Sequence, residues 1–412
     1  MVLNAYSDMT KYKFIQTQSG FFRFLDEIED VTWIAYDTEF ISEGRYQPEL
    51  CLVQVATEKG NYLLDPLSIN NLNSFWERLC EENTTSIAHA CRSELEFCHR
   101  AIGRFPARIF DVQLAAAFVG FDYPLNFKML THGTIGVDIE KTETRTDWSR
   151  RPLLTGQLNY ALNDVVYLKQ IADYLTEKLE RAGRVRWFLE ETREYCTQLK
   201  DSFIEEHWRK LLRSKHYSRD ELAVIRELWN WRHDKALAKN IAPGRVLRDD
   251  LLLEIAKHQT ADPQRIANIR GVRGLPESYL VRELSEAIDY ALSLPNSEKP
   301  KLPSQATFPQ YSLATQILNV LVGQYCKNHN VSSRIVATAA DIRYAIAAYR
   351  GDVPESEPSK LLQGWRAEFL GEYFINFLEG RCVIQLTKDL ESHPFRIVKL
   401  DANGNKEETG DN

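Results

Sequence analysis

The chain contains no uninterrupted apolar stretch near the ~18 residues that a membrane-spanning helix needs. Its opening residues, MVLNAYSDMTKYKF, hold no basic segment followed by an apolar run, so neither a membrane anchor nor a secretory leader is expected and the expected location is cytoplasmic. Cysteine is sparse: seven residues, at 51, 80, 91, 98, 196, 326 and 382, odd in number and with no Cys-x-x-Cys spacing. That argues against a disulfide framework and against a zinc site, and leaves reduced, mostly buried thiols as the expectation. Positive charge is also short, with 51 Lys and Arg against 58 Asp and Glu and a net charge of −7. Proteins that coat nucleic acid by bulk attraction are usually strongly basic, so that class is excluded, while an enzyme with local basic patches is not.

What is present is an ordinary globular composition, 44 % apolar and 26 % charged over 412 residues. Single cores stop growing near roughly 250 residues, so more than one domain is expected. From about residue 14 to residue 200, strand-length apolar runs (WIAYDTEF, ELCLVQVAT, GNYLLDPL, TSIAHA) alternate with helical patterns such as LNSFWERLCEEN and SELEFCHRAIG. EKGN reads as a hairpin turn, and the order fits an α/β domain with a mixed sheet and covering helices. TGQLNYALNDVVYLKQIADYLTEKLERAG reads as one long helix, with Thr155 as N-cap, Gly183 near the C-cap, and Leu158, Ala161, Leu162, Val165 and Leu168 on its buried face. Beyond residue 200 helical patterns dominate. The proline-bearing PNSEKPKLPSQATFPQ reads as a linker between two helical groups. CVIQLT and FRIVKL are expected to pair as a small hairpin, and DANGNKEETGDN to be disordered.

The informative residues are acidic. In WIAYDTEFIS, Asp37 and Glu39 are two apart, so on a strand both project from one face. An isolated D-x-E is most often a strand end with its acidic side in water. Two further placements weigh against that: Glu94 opens a helix directly after the short strand SIAHA, and Asp164 lies one helical turn after Tyr160 on the same face. Four carboxylates gathered at one point would repel unless divalent cations neutralised them, and hard oxygen ligands suit Mg²⁺ or Mn²⁺. Two such ions about 4 Å apart can activate water and stabilise a leaving oxygen in phosphodiester cleavage.

The order D-x-E, acidic helix start, Y-x-x-x-D resembles the tyrosine subclass of the DEDD 3′–5′ exonucleases. YDTEF, LCLVQVA, LLDPL, HACRSELE, IFDVQLAAAFVGF, RTDWSRRPL and YALNDVVYL are similar to the ribonuclease D family through about residues 30–175. The resemblance implies a ribonuclease H-like mixed sheet flanked by helices, two Mg²⁺ or Mn²⁺ ions, and RNA as substrate, with tRNA precursors or other structured RNA expected. Carried over by position, it makes Asp37, Glu39, Glu94 and Asp164 the metal ligands, with Asp37 bridging both ions and Tyr160 orienting the attacking water. The family has aspartate where this chain has Glu94, whose extra methylene sets its oxygens about 1.5 Å farther from the backbone. That departure leaves open a catalytically impaired RNA-binding or scaffold protein, and a DNA-directed exonuclease is a third reading. Glu96 points from another face of the helix. Phe40 and Gln54 match family positions near the terminal nucleotide, or are ordinary packing residues. His89 and Asp111 are expected to hold the fold. TRTDWSRRP sets Arg145, Arg150 and Arg151 around Trp148, as a phosphate-contacting surface or a solvated basic loop.

The helical remainder resembles the helicase-and-RNase-D C-terminal (HRDC) domain, through LWNWRHDKALAKNIAPGRVLRDDLLLEIA and IRGVRGLP, with GWRAEFLGE suggesting a second, more divergent copy. The resemblance implies auxiliary RNA-binding modules, with Arg245, Arg248, Arg270 and Arg273 as candidate phosphate contacts, although Asp249 and Asp250 interleave with them. The expected organisation is an exonuclease domain over 1–205, a connecting helix and first HRDC domain over 206–297, a linker over 298–310, a second HRDC-like domain with its extension over 311–400, and a disordered tail over 401–412. A monomer is expected.

Overall fold

A computed structural model of the chain describes residues 11–139, 146–204, 207–212, 216–272, 278–302, 308–388 and 395–400. The six-stranded sheet forms from β1 (Tyr12–Ile15), β2 (Trp33–Ile41), β3 (Glu49–Thr57), β4 (Gly60–Leu64), β5 (Thr85–Ala88) and β6 (Arg108–Asp111), in the order β1-β4-β3-β2-β5-β6. The hairpins β2–β3 and β3–β4 are antiparallel, and β1, β5 and β6 add in parallel. The sheet is mixed, as expected, and Gly60 takes a positive φ of 146° at the end of the EKGN turn. Edge strand β1 carries too weak an alternation to be legible in advance.

Both faces of the sheet are covered. On one face Ile34, Tyr36, Val53, Val55 and Tyr62 pack against α1 (Gln18–Glu27), α2 (Asn73–Leu79) and α3 (Arg92–Ile102) through Phe21, Phe24, Phe75, Trp76, Leu95 and Cys98. On the other, Ala35, Ala56 and Ile87 join a cluster that includes α4 (Val112–Ala117) and α7 (Leu168–Arg181). Beside it Cys51, Leu52 and Leu63 meet Ala161 and Leu162 of α6 (Thr155–Val166), beyond the short α5 (Phe127–Ile135).

The expected single long helix is two. It breaks at Tyr167 between α6 and α7, and Thr155 is the first helical residue rather than the cap. The first turn is closed by Gln157, whose side-chain oxygen accepts from the Leu154 N–H at 2.9 Å. No proline or glycine marks the break. The cause is packing: α6 lies against β2 and β3, whereas α7 lies against α4, α5 and β5, and one straight cylinder cannot bury its apolar stripe on both. Gly183, with φ +66°, follows α7 as its sequence position suggested.

After α8 (Val185–Ile204) come α9 (Arg219–Lys239), α10 (Pro243–Val246), α11 (Asp249–His258), α12 (Pro263–Asn268) and α13 (Ser278–Ser293). These share a separate core built on Leu222, Ile225, Leu228, Leu252, Ile255, Leu284 and Ile288. The segment read as a linker begins fastened to that group: Lys299 reaches Asp220 at 2.6 Å and the Leu292 carbonyl at 3.0 Å. The second helical group, from α14 (Ser312–Asn328) to Leu378, has no core of its own. Its Leu318, Leu321, Ile346, Trp365 and Phe374 belong to the same apolar cluster as Phe118 and Phe188 of the α/β unit. Arg366, 3 % exposed, closes this junction. It forms a two-pronged pair with Glu191 of α8 at 2.7 and 2.8 Å and donates to the carbonyls of Ile335 and Val336. The hairpin expected at the end is present, β7 (Cys382–Leu386) running antiparallel to β8 (Phe395–Lys399).

Removing one partner of a buried ion pair strands the other charge, at about 3–5 kcal/mol. Arg366→Ala should therefore lower the unfolding free energy by about 3 kcal/mol, the low end because its second partner, Glu194 at 3.2 Å, is partly solvated. Urea denaturation measures it; a loss within about 0.5 kcal/mol, typical of surface changes, would show that the junction does not depend on this pair.

Candidate active site

Strand β2 enters the core through Trp33, Ile34, Ala35 and Tyr36 and then places Asp37 and Glu39 on the face that α6 covers. Asp37, Glu39 and Asp164 present carboxylate oxygens all within 4.8 Å of one another, each group half-buried. Burial, followed by the charges of Asp37, Asp164 and Glu94, pushes the Glu39 carboxyl up to about 9. Three acids held this close, in hard-oxygen geometry and with a strong electrostatic penalty, fit divalent cations. Tyr160 stands one turn before Asp164 and is hydrogen-bonded to it; burial, then Asp164, Glu39 and Asp37, holds its hydroxyl protonated well above the ordinary tyrosine range.

Glu94 reaches the region from the opposite side of the β2 pleat. Only 4 % exposed, it does not join the cluster of three; instead its Oε1 accepts from the Thr38 hydroxyl at 2.6 Å. Burial first, then Asp37, raises its carboxyl to about 8, partly offset by Thr38. Thr38 was not among the expected site residues. Its place between the two acids makes its face predictable, but nothing in the sequence says that a helix-borne glutamate would meet it. Glu96 is turned to the surface, paired with Arg92 at 2.9 Å.

The helix that presents Glu94 is aimed by Asp111. Its carboxylate accepts from the backbone N–H groups of Ala90 (3.0 Å) and Cys91 (3.1 Å), fixing the turn from β5 into α3, and from Gln113 (2.8 Å) at the start of α4. Ala90 sits at φ +56° in that turn. His89 Nε2 lies 2.9 Å from the Leu125 carbonyl. Both residues hold the fold, as their positions suggested.

The remaining expectations divide. Gln54 is directly opposite Asp37 in the β2–β3 register, fully buried, and its amide has no hydrogen-bond partner among the described residues. Phe40 follows a bulge after Glu39 and meets Phe97 of α3 edge-on at 5.4 Å. Trp148 is a correction: 5 % exposed, it lies in the core behind Tyr160, ring centroids 6.1 Å apart, and offers no open face. Arg151 is another. Its guanidinium binds Asp65 at 2.7 and 2.8 Å, the Cys51 carbonyl at 2.7 Å and the Trp148 carbonyl at 2.8 Å, so it bolts the loop to β3 and β4 rather than facing a phosphate. Arg150, 84 % exposed, pairs with Asp147. In the helical group, Arg248 pairs with Asp250 and Arg270 is exposed, while Arg245 packs against Gly44. Arg145 and Arg273 lie outside the described residues.

An acid cluster on a mixed sheet, with a tyrosine one turn before the helical aspartate, is an arrangement suited to metal-dependent phosphodiester cleavage. The comparisons agree. Residues 12–180 match the family model described as a 3′-5′ exonuclease, and residues 221–286 match the HRDC domain. The ribonuclease D of Nitrobacter hamburgensis is 31 % identical over 372 residues, 89 % of this chain and 94 % of that one. That of Gluconacetobacter diazotrophicus is 33 % identical over 360 residues, covering 85 % and 89 %. The crystal structure of Escherichia coli RNase D, titled an exoribonuclease involved in structured RNA processing, superposes with a TM-score of 0.77 at 26 % identity, over 90 % of this chain and 99 % of that one. The chain belongs to the ribonuclease D family, and its activity is that of a 3′–5′ exoribonuclease.

The Arg151–Asp65 bolt carries a pH signature. Burial alone would raise the Asp65 carboxyl, but the hydrogen bonds and charge of Arg151 more than offset it and hold it below the usual carboxylate range. A depressed folded-state value means stability that is fully present above the unfolded value, about pH 4, and is lost as pH falls through the folded one. Between about pH 6 and about pH 3 the wild-type chain should lose more stability than Asp65→Asn, as followed by urea midpoints. Equal losses would mean that the pair contributes no pH-dependent stability.

Proposed function

We propose that this enzyme shortens structured RNA, tRNA precursors among it, one nucleotide at a time from the 3′ end, with Asp37, Glu39, Glu94 and Asp164 holding two Mg²⁺ or Mn²⁺ ions. The convergence of three carboxylates within 4.8 Å carries this reading. When bound, such ions polarise the scissile phosphate and activate water. The chain's own residues do the placing: β2 and α6 aim the acids, and the Tyr160 hydroxyl, protonated and donating to Asp164, keeps its oxygen lone pairs to accept from and orient the attacking water. Phe40, half-buried at the bulge, is positioned to meet the terminal nucleotide by sequence-tolerant stacking, while Gln54, fully buried opposite Asp37, lies behind the acids. Arg150 and the exposed arginines of the first helical group are offered to phosphates. A monomer in the cytoplasm, with the first helical group as an HRDC domain and the second as a divergent copy, completes the proposal. In favour of a soluble setting, no helix among the described residues is long and apolar enough to cross a membrane.

The test is stepwise shortening of a 5′-labelled RNA in Mg²⁺ or Mn²⁺. Asp37→Asn should slow it by more than the roughly hundredfold that accompanies loss of a residue merely supporting a ligand. Undiminished shortening in Asp37→Asn would remove the acid cluster from the mechanism. Glu94 is answered by Thr38, which supports a co-adapted site rather than an impaired one. Glu94→Asp should therefore slow the enzyme, by about tenfold, because the shorter side chain leaves the Thr38 hydroxyl. A gain in rate would instead mark Glu94 as an impairment.

A further inference from the structure

The acids Asp37 and Glu39 stand where the sheet narrows to two strands, backed by α6 and by the Arg151 bond to the Cys51 carbonyl but by no third strand among the described residues. Strand β2 pairs with β5 only from Trp33 to Ala35, and β3 pairs with β4 only from Val53 onward. Past those points residues 37–41 and 49–52 form a two-stranded ribbon, bulged between Glu39 and Phe40, projecting beyond the six-stranded sheet. A two-stranded ribbon is marginally stable in water unless something packs against it, and α6 covers this one at Ile41, Cys51 and Leu52, short of its tip. Metal-dependent phosphoryl chemistry nevertheless requires its ligands to be held to a fraction of an ångström.

The ribbon's tip, residues 42–48, is held from outside the α/β unit by the C-terminal end of α9 and the turn after it. The Gln47 N–H donates to Asn240 Oδ1 at 3.1 Å, and the Ala242 N–H donates to the Gly44 carbonyl at 3.1 Å. The Tyr46 hydroxyl forms a short hydrogen bond with His233 Nδ1, and the two rings meet edge-on at 5.1 Å. His233 is itself stacked on Trp229 at 4.9 Å. Arg245, read from sequence as a phosphate contact, packs its guanidinium where a Cβ on Gly44 would stand, 3.3 Å away. Asn240 suits the post on two counts: it ends α9 in the left-handed region, at φ +46°, and its side chain supplies the acceptor.

We propose that the first helical group braces the catalytic hairpin, with Tyr46, His233 and Asn240 as positioning residues, so that its docking sets the rate of the chemical step as well as the capture of RNA. The inference rests on the proposed role of Asp37 and Glu39. None of the three residues touches the acids; they act through the strands that carry them.

The test uses the full-length protein with Tyr46→Phe/Asn240→Gly, which removes one hydroxyl and one amide while glycine tolerates the backbone at 240. Two substrates are compared, an RNA dinucleotide, with a single bond to place, and a long RNA with a 3′ overhang. The brace predicts a kcat on the dinucleotide lower by roughly tenfold with KM within about twofold, and recovery when Asn240→Asp, which keeps an oxygen acceptor, replaces Asn240→Gly. Loss confined to the KM of the long RNA would overturn the brace and leave the helical group as an RNA-binding module only; unchanged kinetics on both substrates would overturn it too. Backbone hydrogen exchange of residues 37–41 and 49–52 gives a readout independent of activity: faster exchange in the variant is expected, and unaltered protection would refute the brace. A wild-type chain that cleaves neither substrate would count against the proposed reaction, while the exchange result would still decide the brace.

Discussion

Three carboxylates pressed to within 4.8 Å of one another are the constraint around which the rest of the structure is arranged. Charged together they would repel, and burial with that repulsion is what holds the Glu39 carboxyl up to about 9. What keeps them together is rigidity supplied from elsewhere: β2 is buried on both faces at its start, α6 is pinned to β3 by Ala161 and Leu162, and the loop leading to α6 is bolted through Arg151 to Asp65. The repulsion is the reserve that divalent cations would relieve. A site already assembled asks little reorganisation of its ions and substrate.

Glu94, at the start of α3, is held from β2 by the Thr38 hydroxyl, which donates to it at 2.6 Å. Asp111 does the complementary work at the main chain, setting the turn from which α3 starts. The carboxylate and the helix that bears it are thus fixed independently.

The two helical groups are attached by different physics. The second shares an apolar cluster with the α/β unit and is locked by a buried arginine with its glutamate partner, so separating it would expose core. The first keeps its own core and meets the loop at residues 42–48 of the α/β unit through polar and aromatic contacts. A contact of that kind is of the sort that can loosen and re-form, and it lies on the hairpin where looseness would matter most.

Much of this was legible in the residues. The period-two placement of Asp37 and Glu39, the one-turn interval from Tyr160 to Asp164, and the alternation of strands with helices depend only on local geometry, which any chain of L-amino acids must obey. Asp111 and His89 could be assigned to the fold from their places beside strand ends. What the sequence could not contain is which distant groups meet. Trp148 looks like surface in TRTDWSRRP and is interior, and Arg151 is half-buried and tied to Asp65 and Cys51, because the loop folds back onto β3 and β4. One helical pattern became α6 and α7 because its two halves face different partners, and Thr38 and Tyr46 became important only once a helix and a separate helical group arrived beside them. Periodicity and spacing are properties of neighbouring residues, so the sequence determined the elements and the chemistry of the acids. Burial, pairing and bracing are properties of chain segments brought together across long separations, and those the tertiary structure alone decided.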